Sequence, residues 1–263
     1  MSGLVDAVRF LTRVPVDRRA IDDGLPAPDP DRMIADAVPW FPVVGALVGA
    51  LVGLVYWAAA WALPTPVAAT VAVSVGVGVT GAFHEDGLAD TADALWGSYD
   101  RERRLAILKD SRHGTYGVSA LVLSTVLRIT VLAALAPGRT ALGALVAAHA
   151  IGRGAAVAMM GTTPNARDEG LAAYVRSTRR GQIAAGVVGA MVLGLAGLAG
   201  WLLPAAILAA ALTWIVRRLA MDKLGGIVGD VLGAAEQVVE IGVMIVALAV
   251  VHRSASPLGW WPT

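Results

Sequence analysis

The sequence predicts an all-α, polytopic membrane bundle of about seven transmembrane helices, with its chemistry gathered at the cytoplasmic face. Three observations carry this expectation. The chain of 263 residues is 57% hydrophobic and 16% charged, with a mean hydropathy of +0.67. A soluble domain carries about 25% charged residues. A compact soluble interior is too small to hide this much apolar surface, so lipid is the expected solvent. Second, the apolar residues fall into stretches close to the roughly 20 residues that a membrane helix needs. They cover 38–62, 65–83, 118–136, 141–161, 183–203, 205–221 and 233–251. Third, basic loops alternate with turns that carry almost no charge, the pattern that sets membrane orientation.

The elements follow in order. The leader, 1–36, spreads Arg9, Arg13, Arg18, Arg19 and Arg32 through polar sequence. It lacks a small-residue cleavage site after an apolar core, so it does not read as a secretory signal. Its opening MSGLVDAVRFLTRVPV reads as a short amphipathic helix on the membrane surface. Spans 38–62 and 65–83 are joined by the Pro64/Pro66 turn, and the next loop holds Arg101, Arg103, Arg104, Lys109 and Arg112. Spans 118–136 and 141–161 lead to a second basic loop with Arg167, Arg176, Arg179 and Arg180. Spans 183–203 and 205–221 are expected to turn at Pro204. Arg217, Arg218 and Lys223 then precede 233–251. With seven spans every basic loop lies on the N-terminal side, which places that side in the cytoplasm of a plasma-membrane protein and the C-terminus outside. Trp40, Trp57, Trp61, Trp201, Trp260 and Trp261 fit interfacial anchoring. No internal repeat or second domain is visible, so 1–263 reads as a single domain. There is no cysteine, which excludes disulfide and thiolate chemistry.

Three polar segments interrupt this apolar chain. FHEDGLADTADALWG, residues 83–97, holds Glu85, Asp86, Asp90 and Asp93. If the second span continues through it, Asp86, Asp90 and Asp93 share one helical face at i, i+4 and i+7. Like charges there oppose the helix unless neutralised. Mg²⁺ does this with one or two carboxylates plus substrate phosphate oxygens. A solvated acidic face at a span exit is the alternative. ILKDSRHGTYGV, residues 107–118, places Lys109, Asp110, Ser111 and Arg112 before Gly114 and Gly117. Small residues admit close backbone approach, and two cations with a hydroxyl suit phosphate. DKLGGIVGDVLGAAEQVVE, residues 222–240, flanks Asp230 with glycines and then puts Glu236 and Glu240 on one face. The topology brings all three segments to the same side. Within the spans, Arg128 and the pair His149/Arg153 are costly in lipid and need a cavity or a partner. Internal pairing with acidic residues is the plain alternative for the arginines, and packing for His149.

Carboxylates and cations gathered at a membrane surface suit transfer at a pyrophosphate. A metal neutralises phosphate oxygens and an Asp orients or deprotonates the attacking hydroxyl. Neither a Walker loop, a GxGxxG stretch nor a Ser-His-Asp set is present, so hydrolase and nucleotide-dehydrogenase chemistry is unsupported.

HEDGLADTADAL, KDSRHGTYG and GGIVGDVLGAAEQVVE resemble the three signature blocks of the cobalamin synthase family, the adenosylcobinamide-GDP ribazoletransferases. FLTRVPV near the N-terminus and WFPVVGALVG at 40–49 are similar to that family as well, so the resemblance covers nearly the whole chain in order. Ala94, His113 and Val228 depart from it, standing where glycine, a small or apolar residue, and threonine are usual. Val228 lacks a hydroxyl, so no phosphate or metal role carries over to it. The resemblance implies Mg²⁺-dependent attack by a hydroxyl of α-ribazole, or of its 5′-phosphate, on the cobinamide-bound phosphate of adenosylcobinamide-GDP. GMP leaves and the nucleotide loop of adenosylcobalamin is completed.

On this reading Asp86, Asp90 and Asp93 hold metal with Glu85 in support, and Asp230 joins them or positions the hydroxyl. Lys109, Asp110, Ser111, Arg112 and Gly114 bind phosphate or the GMP leaving group, and Arg153 reaches the pyrophosphate from within the bundle. The implied partners are these two small molecules and a lipid bilayer. No nucleic acid is implied, and an oligomer is compatible. A CDP-alcohol phosphotransferase shares the membrane and Mg²⁺ logic, but here Asp86-Gly87 is followed by Leu88-Ala89-Asp90, so the AR of its DG-x2-AR pattern is absent and the later aspartates do not fit its spacing. A cation-coupled transporter should place its acids near the span midplanes, whereas most acids here lie at span ends.

Overall fold

The computed structural model describes residues 2–16, 30–110, 112–167 and 178–254. Among these the regular elements are helical, with one isolated bridge between Asn165 and Ile227. In chain order the helices are α1 (Ser2–Leu11), α2 (Pro30–Ala37), α3 (Phe41–Ala59), α4 (Thr65–Thr80), α5 (Phe83–Trp96) and α6 (Arg101–Ile107). They continue with α7 (Thr115–Ala134), α8 (Arg139–Thr162), α9 (Arg180–Leu198), α10 (Leu202–Leu224) and α11 (Gly229–Ser254). The all-α architecture expected from composition is therefore present.

Local chemistry sets the helix ends. Pro42 and Pro66 sit in the first turns of α3 and α4, where a missing N–H costs nothing. Asp100 accepts the Arg103 backbone N–H at 2.8 Å and so caps α6. Helix α8 is the central post. In its most apolar window 78% of residues are buried, against 28% in α7. It packs on α3, α9 and α11. In α7 the inward residues Gly117, Ser124, Arg128, Val131 and Leu132 recur at helical spacing, while Val122, Leu123 and Val126 face outward. The amphipathic α1 turns Ala7 and Leu11 inward, against the bundle. Of the leader's basic residues, Arg18 and Arg19 lie outside the described residues.

Five helical runs are long and apolar enough to cross a membrane, or six when α4 and α5 count as one bent span. One of them, Arg180–Leu224, has 45 residues. At about 1.5 Å per residue it is roughly twice as long as a bilayer core is thick. It is broken at Ala199, whose φ of 49° stops the helix. This corrects the expected turn at Pro204, which instead lies in the first turn of α10, a position proline tolerates.

A second correction concerns the acidic segment. Helix α4 does not continue through it. Gly81 (φ 68°) and Ala82 (φ 58°) adopt the left-handed conformation, and α5 leaves α4 at 87°. Glycine enters that region without strain, whereas Ala82 does so at a cost. The leader helps hold the break, since the Arg13 backbone N–H donates to the Val79 carbonyl at 2.7 Å.

Helix α5 thus crosses one end of the bundle and packs on α11 and α7. At the α11 crossing a Cβ on Gly87 would stand 2.8 Å from the Asp230 carbonyl oxygen and 3.1 Å from its Cα. Both are backbone atoms that cannot swing aside. Gly87→Ala is expected to push α5 off α11 and lower stability by about 1–3 kcal/mol, the cost of overpacking. Thermal unfolding in detergent checks this, and an unchanged midpoint would show that the crossing is loose.

Candidate active site

The bundle end crossed by α5 collects the polar segments. Arg101 Nε donates to the Leu224 carbonyl at 2.7 Å, and Lys223 Nζ donates to the Leu95 carbonyl at 2.8 Å. Arg217 Nε donates to Thr163 Oγ1 at 3.1 Å, and the Ala166 and Ile227 backbones pair. The ends of α5, α8 and α10 therefore meet, with basic side chains tying carbonyls across the gaps. Arg176, expected in one of these loops, lies outside the described residues.

The three aspartates of α5 differ in setting. Asp86 is exposed, Asp90 half-buried and Asp93 buried. Asp93 Oδ2 accepts the Gly114 N–H at 2.6 Å and its Oδ1 accepts the Gly117 N–H at 2.9 Å. It thereby satisfies the free amides at the start of α7, where the helix dipole also favours a negative charge. Both Asp93 oxygens are engaged in this cap. Asp86 and Asp90 have His113 as their neighbour, with Nδ1 at 3.5 Å from Asp90 Oδ1 and Nε2 at 3.9 Å from Asp86 Oδ1. Burial, and then the charge of Asp86, push the Asp90 carboxyl up to about 6, with His113 pulling the other way. Asp230, in the first turn of α11, lies within electrostatic reach of Asp90, Asp86 and Arg167. Three carboxylates thus face a histidine and one arginine. Their surplus negative charge suits a hard divalent cation completed by substrate phosphate oxygens, but among the described residues the oxygens of Asp86, Asp90 and Asp230 do not converge on one point as the ligand atoms of His149, Glu236 and Glu240 do.

Beside them runs the 108–114 loop. Arg112 forks onto Asp110, with Nε to Oδ1 at 2.9 Å and Nη2 to Oδ2 at 2.7 Å. These hydrogen bonds hold the Asp110 carboxyl down to about 2. Arg112 and Lys109 are exposed, and Gly114 stands at the start of α7. Ser111 lies outside the described residues.

Glu85 and Arg153 sit elsewhere, inside the bundle. Glu85 points inward and accepts from Arg128 Nη1 at 2.8 Å. Arg153 Nη1 donates to Glu236 Oε1 at 2.5 Å and lies 3.5 Å from Glu240 Oε2. His149 Nδ1 is 2.8 Å from Glu240 Oε2, and Gln237 Nε2 reaches Glu236 at 3.2 Å. All of these side chains are buried. The arginines in the spans are therefore paired with acids. His149, Glu236 and Glu240 come close enough to hold a metal ion. Arg153 Nη1 stands against both carboxylates, however, and supplies positive charge where an ion would sit. We read the cluster as an ion-pair network.

Sequence reasoning assigned no partner to Glu236 and Glu240, gave Gln237 no role, and took His113 only as a departure. Arg128 and Arg153 lie in apolar spans, where a charge needs a partner, and that need was the available signal for pairing with the glutamates of the polar segments. His113 carried none, because its position over Asp86 and Asp90 depends on the Asp93 cap of α7.

Comparison with known proteins now adds to this geometry. Residues 3–248 match the family described as cobalamin-5-phosphate synthase, CobS. A protein of Bradyrhizobium diazoefficiens named adenosylcobinamide-GDP ribazoletransferase is 48% identical over 172 residues, 65% of this chain and 66% of that one. A protein of the same name from Mesorhizobium japonicum is 45% identical over 169 residues, 64% of this chain and 65% of that one. One from Azorhizobium caulinodans, also so named, is 40% identical over 253 residues, 92% of this chain and 94% of that one. The matched region thus spans slightly under two thirds of the first two relatives and nearly all of the third. No solved structure matches. The chain belongs to the cobalamin-5-phosphate synthase family.

Proposed function

We propose that this protein transfers α-ribazole, or its 5′-phosphate, onto adenosylcobinamide-GDP with release of GMP, completing the nucleotide loop of adenosylcobalamin. The observation that carries the reading is the pairing of exposed Asp86 with half-buried Asp90, both facing His113 of the Lys109–Gly114 loop, where α5 crosses α11. The shared name of the relatives supports the substrates.

In the reaction a ribose hydroxyl oxygen bonds to the phosphorus nearer cobinamide. The bond from that phosphorus to the oxygen bridging the two phosphates breaks, and GMP leaves with the bridging oxygen. Asp86, Asp90 and Asp230 would hold Mg²⁺, which when bound neutralises phosphate oxygens. Asp93 fixes the start of α7 and so the position of the phosphate loop. Arg112 exchanges Asp110 for a substrate phosphate, and Lys109 adds a second cation. Asp230 or Asp90, as a carboxylate near the incoming hydroxyl, takes its proton.

The test is incubation of purified protein with adenosylcobinamide-GDP, α-ribazole and Mg²⁺. GMP should appear only when both organic substrates are present, together with a corrinoid product. GMP without α-ribazole would indicate hydrolysis, and no GMP would defeat the reading.

The proposal extends to topology. The five apolar runs, the bent α4–α5 pair and a division of Arg180–Leu224 at Ala199 give seven traversals, with the basic, carboxylate-bearing end in the cytoplasm of the plasma membrane. Single cysteines at positions 100 and 178 should be labelled from the cytoplasmic side only, and one at 138 from outside. Labelling of 100 and 178 from opposite sides would break the seven-span arrangement.

A further inference from the structure

Glu85 of α5, Arg128 of α7 and Gln237 of α11 meet inside the bundle. Arg128 Nη1 donates to Glu85 Oε1 at 2.8 Å, and Gln237 Nε2 reaches the same oxygen at 3.5 Å. The three side chains belong to residues that are 7%, 6% and 2% exposed. Each nevertheless keeps a polar atom without a partner among the described residues: Glu85 Oε2, Gln237 Oε1, and both Nε and Nη2 of Arg128. Buried polar groups are otherwise almost always paired, with protein or with ordered water. The same three residues line one cavity, whose apolar walls include Val52 of α3, Val73 of α4 and Met244 of α11. About 20 Å³ of it is open to the centre of a water-sized sphere. A single water needs roughly 10–15 Å³ and two to four polar partners.

We infer that this cavity binds ordered water, which donates to Glu85 Oε2 and Gln237 Oε1 and accepts from Arg128. The inference stands apart from the transfer reading and does not depend on it. Its consequence is structural wiring of the site. Glu85 directly precedes Asp86, and Gln237 lies about two helical turns after Asp230. Arg128 belongs to α7, which begins at the Gly114 end of the phosphate loop. The water therefore joins the three helices that carry or follow the three polar segments.

Ions fit this set less well. A cation would meet the unpaired donors of Arg128, and a chloride would face the carboxylates of Glu85 and Glu240, which both line the cavity. Water donates and accepts, so it matches a set that holds both kinds of group. A hydrocarbon occupant would leave the polar atoms unpaired at a cost in stability.

Hydroxyl-radical footprinting tests this on the purified full-length protein in detergent. X-ray pulses split bound water in place, so a side chain beside an internal water is oxidised even where bulk solvent does not reach. Met244 is 1% exposed and lines the cavity, whereas Met159 is 0% exposed and does not. Met244 should therefore be oxidised several-fold faster than Met159, as read by mass spectrometry. Val73→Leu enlarges an apolar wall without touching a polar group, and should bring the Met244 rate down to that of Met159. If that variant does not fold, Val52→Leu fills the cavity from α3, and if neither folds, the wild-type comparison decides alone. A wild-type Met244 as slow as Met159 overturns the inference. So does a Met244 rate that is unchanged in a folded, filled variant, because the oxidation then arises outside the cavity.

Discussion

Asp86→Asn and Asp90→Asn should each lower turnover by about a thousandfold or more while leaving the fold intact. The size follows from the role proposed for them. Stabilisation of transition-state charge by a metal is worth several kcal/mol, and about 4 kcal/mol corresponds to a thousandfold in rate. The intact fold follows from the setting. Asp86 is exposed, neither residue caps a helix, and burial beside another carboxylate already disfavours the charge of Asp90. Removing a charge there relieves repulsion between residues at i and i+4, so metal-free stability should hold or rise slightly. Asp93→Asn is expected to behave differently. It replaces an oxygen that accepts a backbone N–H by an amide that cannot, so it should lower both stability and activity. Steady-state kinetics with thermal unfolding on the same preparations separates the two classes. Asp86→Asn and Asp90→Asn proteins with near-wild-type turnover would make these residues a solvated face.

The second large effect lies inside the bundle. Arg128→Met leaves Glu85 buried without its ion-pair partner. Removing one member of a buried pair costs about 3–5 kcal/mol. The double variant Glu85→Gln, Arg128→Met should recover most of that loss, because no uncompensated charge stays behind. Unfolding in detergent checks both. A single variant as stable as the wild type would mean that Glu85 is neutralised by another group. This expectation reverses the role that position in the sequence suggests for Glu85. One residue before Asp86 it points about 100° away around the helix, far enough to face Arg128 in the interior.

Much of the architecture was legible because it depends on length and hydropathy. The centres of α3, α7, α8 and α11 fall where apolar runs of about 20 residues fall. The acidic helix was legible from its spacing and the signature blocks from their length. The turns were less so. Proline at 204 suggested a break, yet proline is accepted in a first turn, and the break occurs at Ala199, a residue with no preference for positive φ. The 87° departure of α5 likewise depends on Ala82 in a conformation its side chain disfavours, held by tertiary contacts such as Arg13 to Val79. The buried pairs join residues 43 and 83 positions apart, and local periodicity says nothing about such partners. Asp93 was grouped with the other acids because it shares their face. Its separate role arises from where α7 begins, which is a property of the packed structure.

The central claim is that a divalent cation is held at the bundle end by Asp86 and Asp90. Mn²⁺, a spectroscopically visible substitute for Mg²⁺, tests it directly. Electron paramagnetic resonance of the purified full-length protein with adenosylcobinamide-GDP should show bound Mn²⁺ in the wild type. That signal should be lost in the Asp86→Asn, Asp90→Asn double variant and retained in Glu240→Gln, whose carboxylate belongs to the interior network. Full Mn²⁺ binding by the double variant, or its loss in Glu240→Gln alone, would contradict the account.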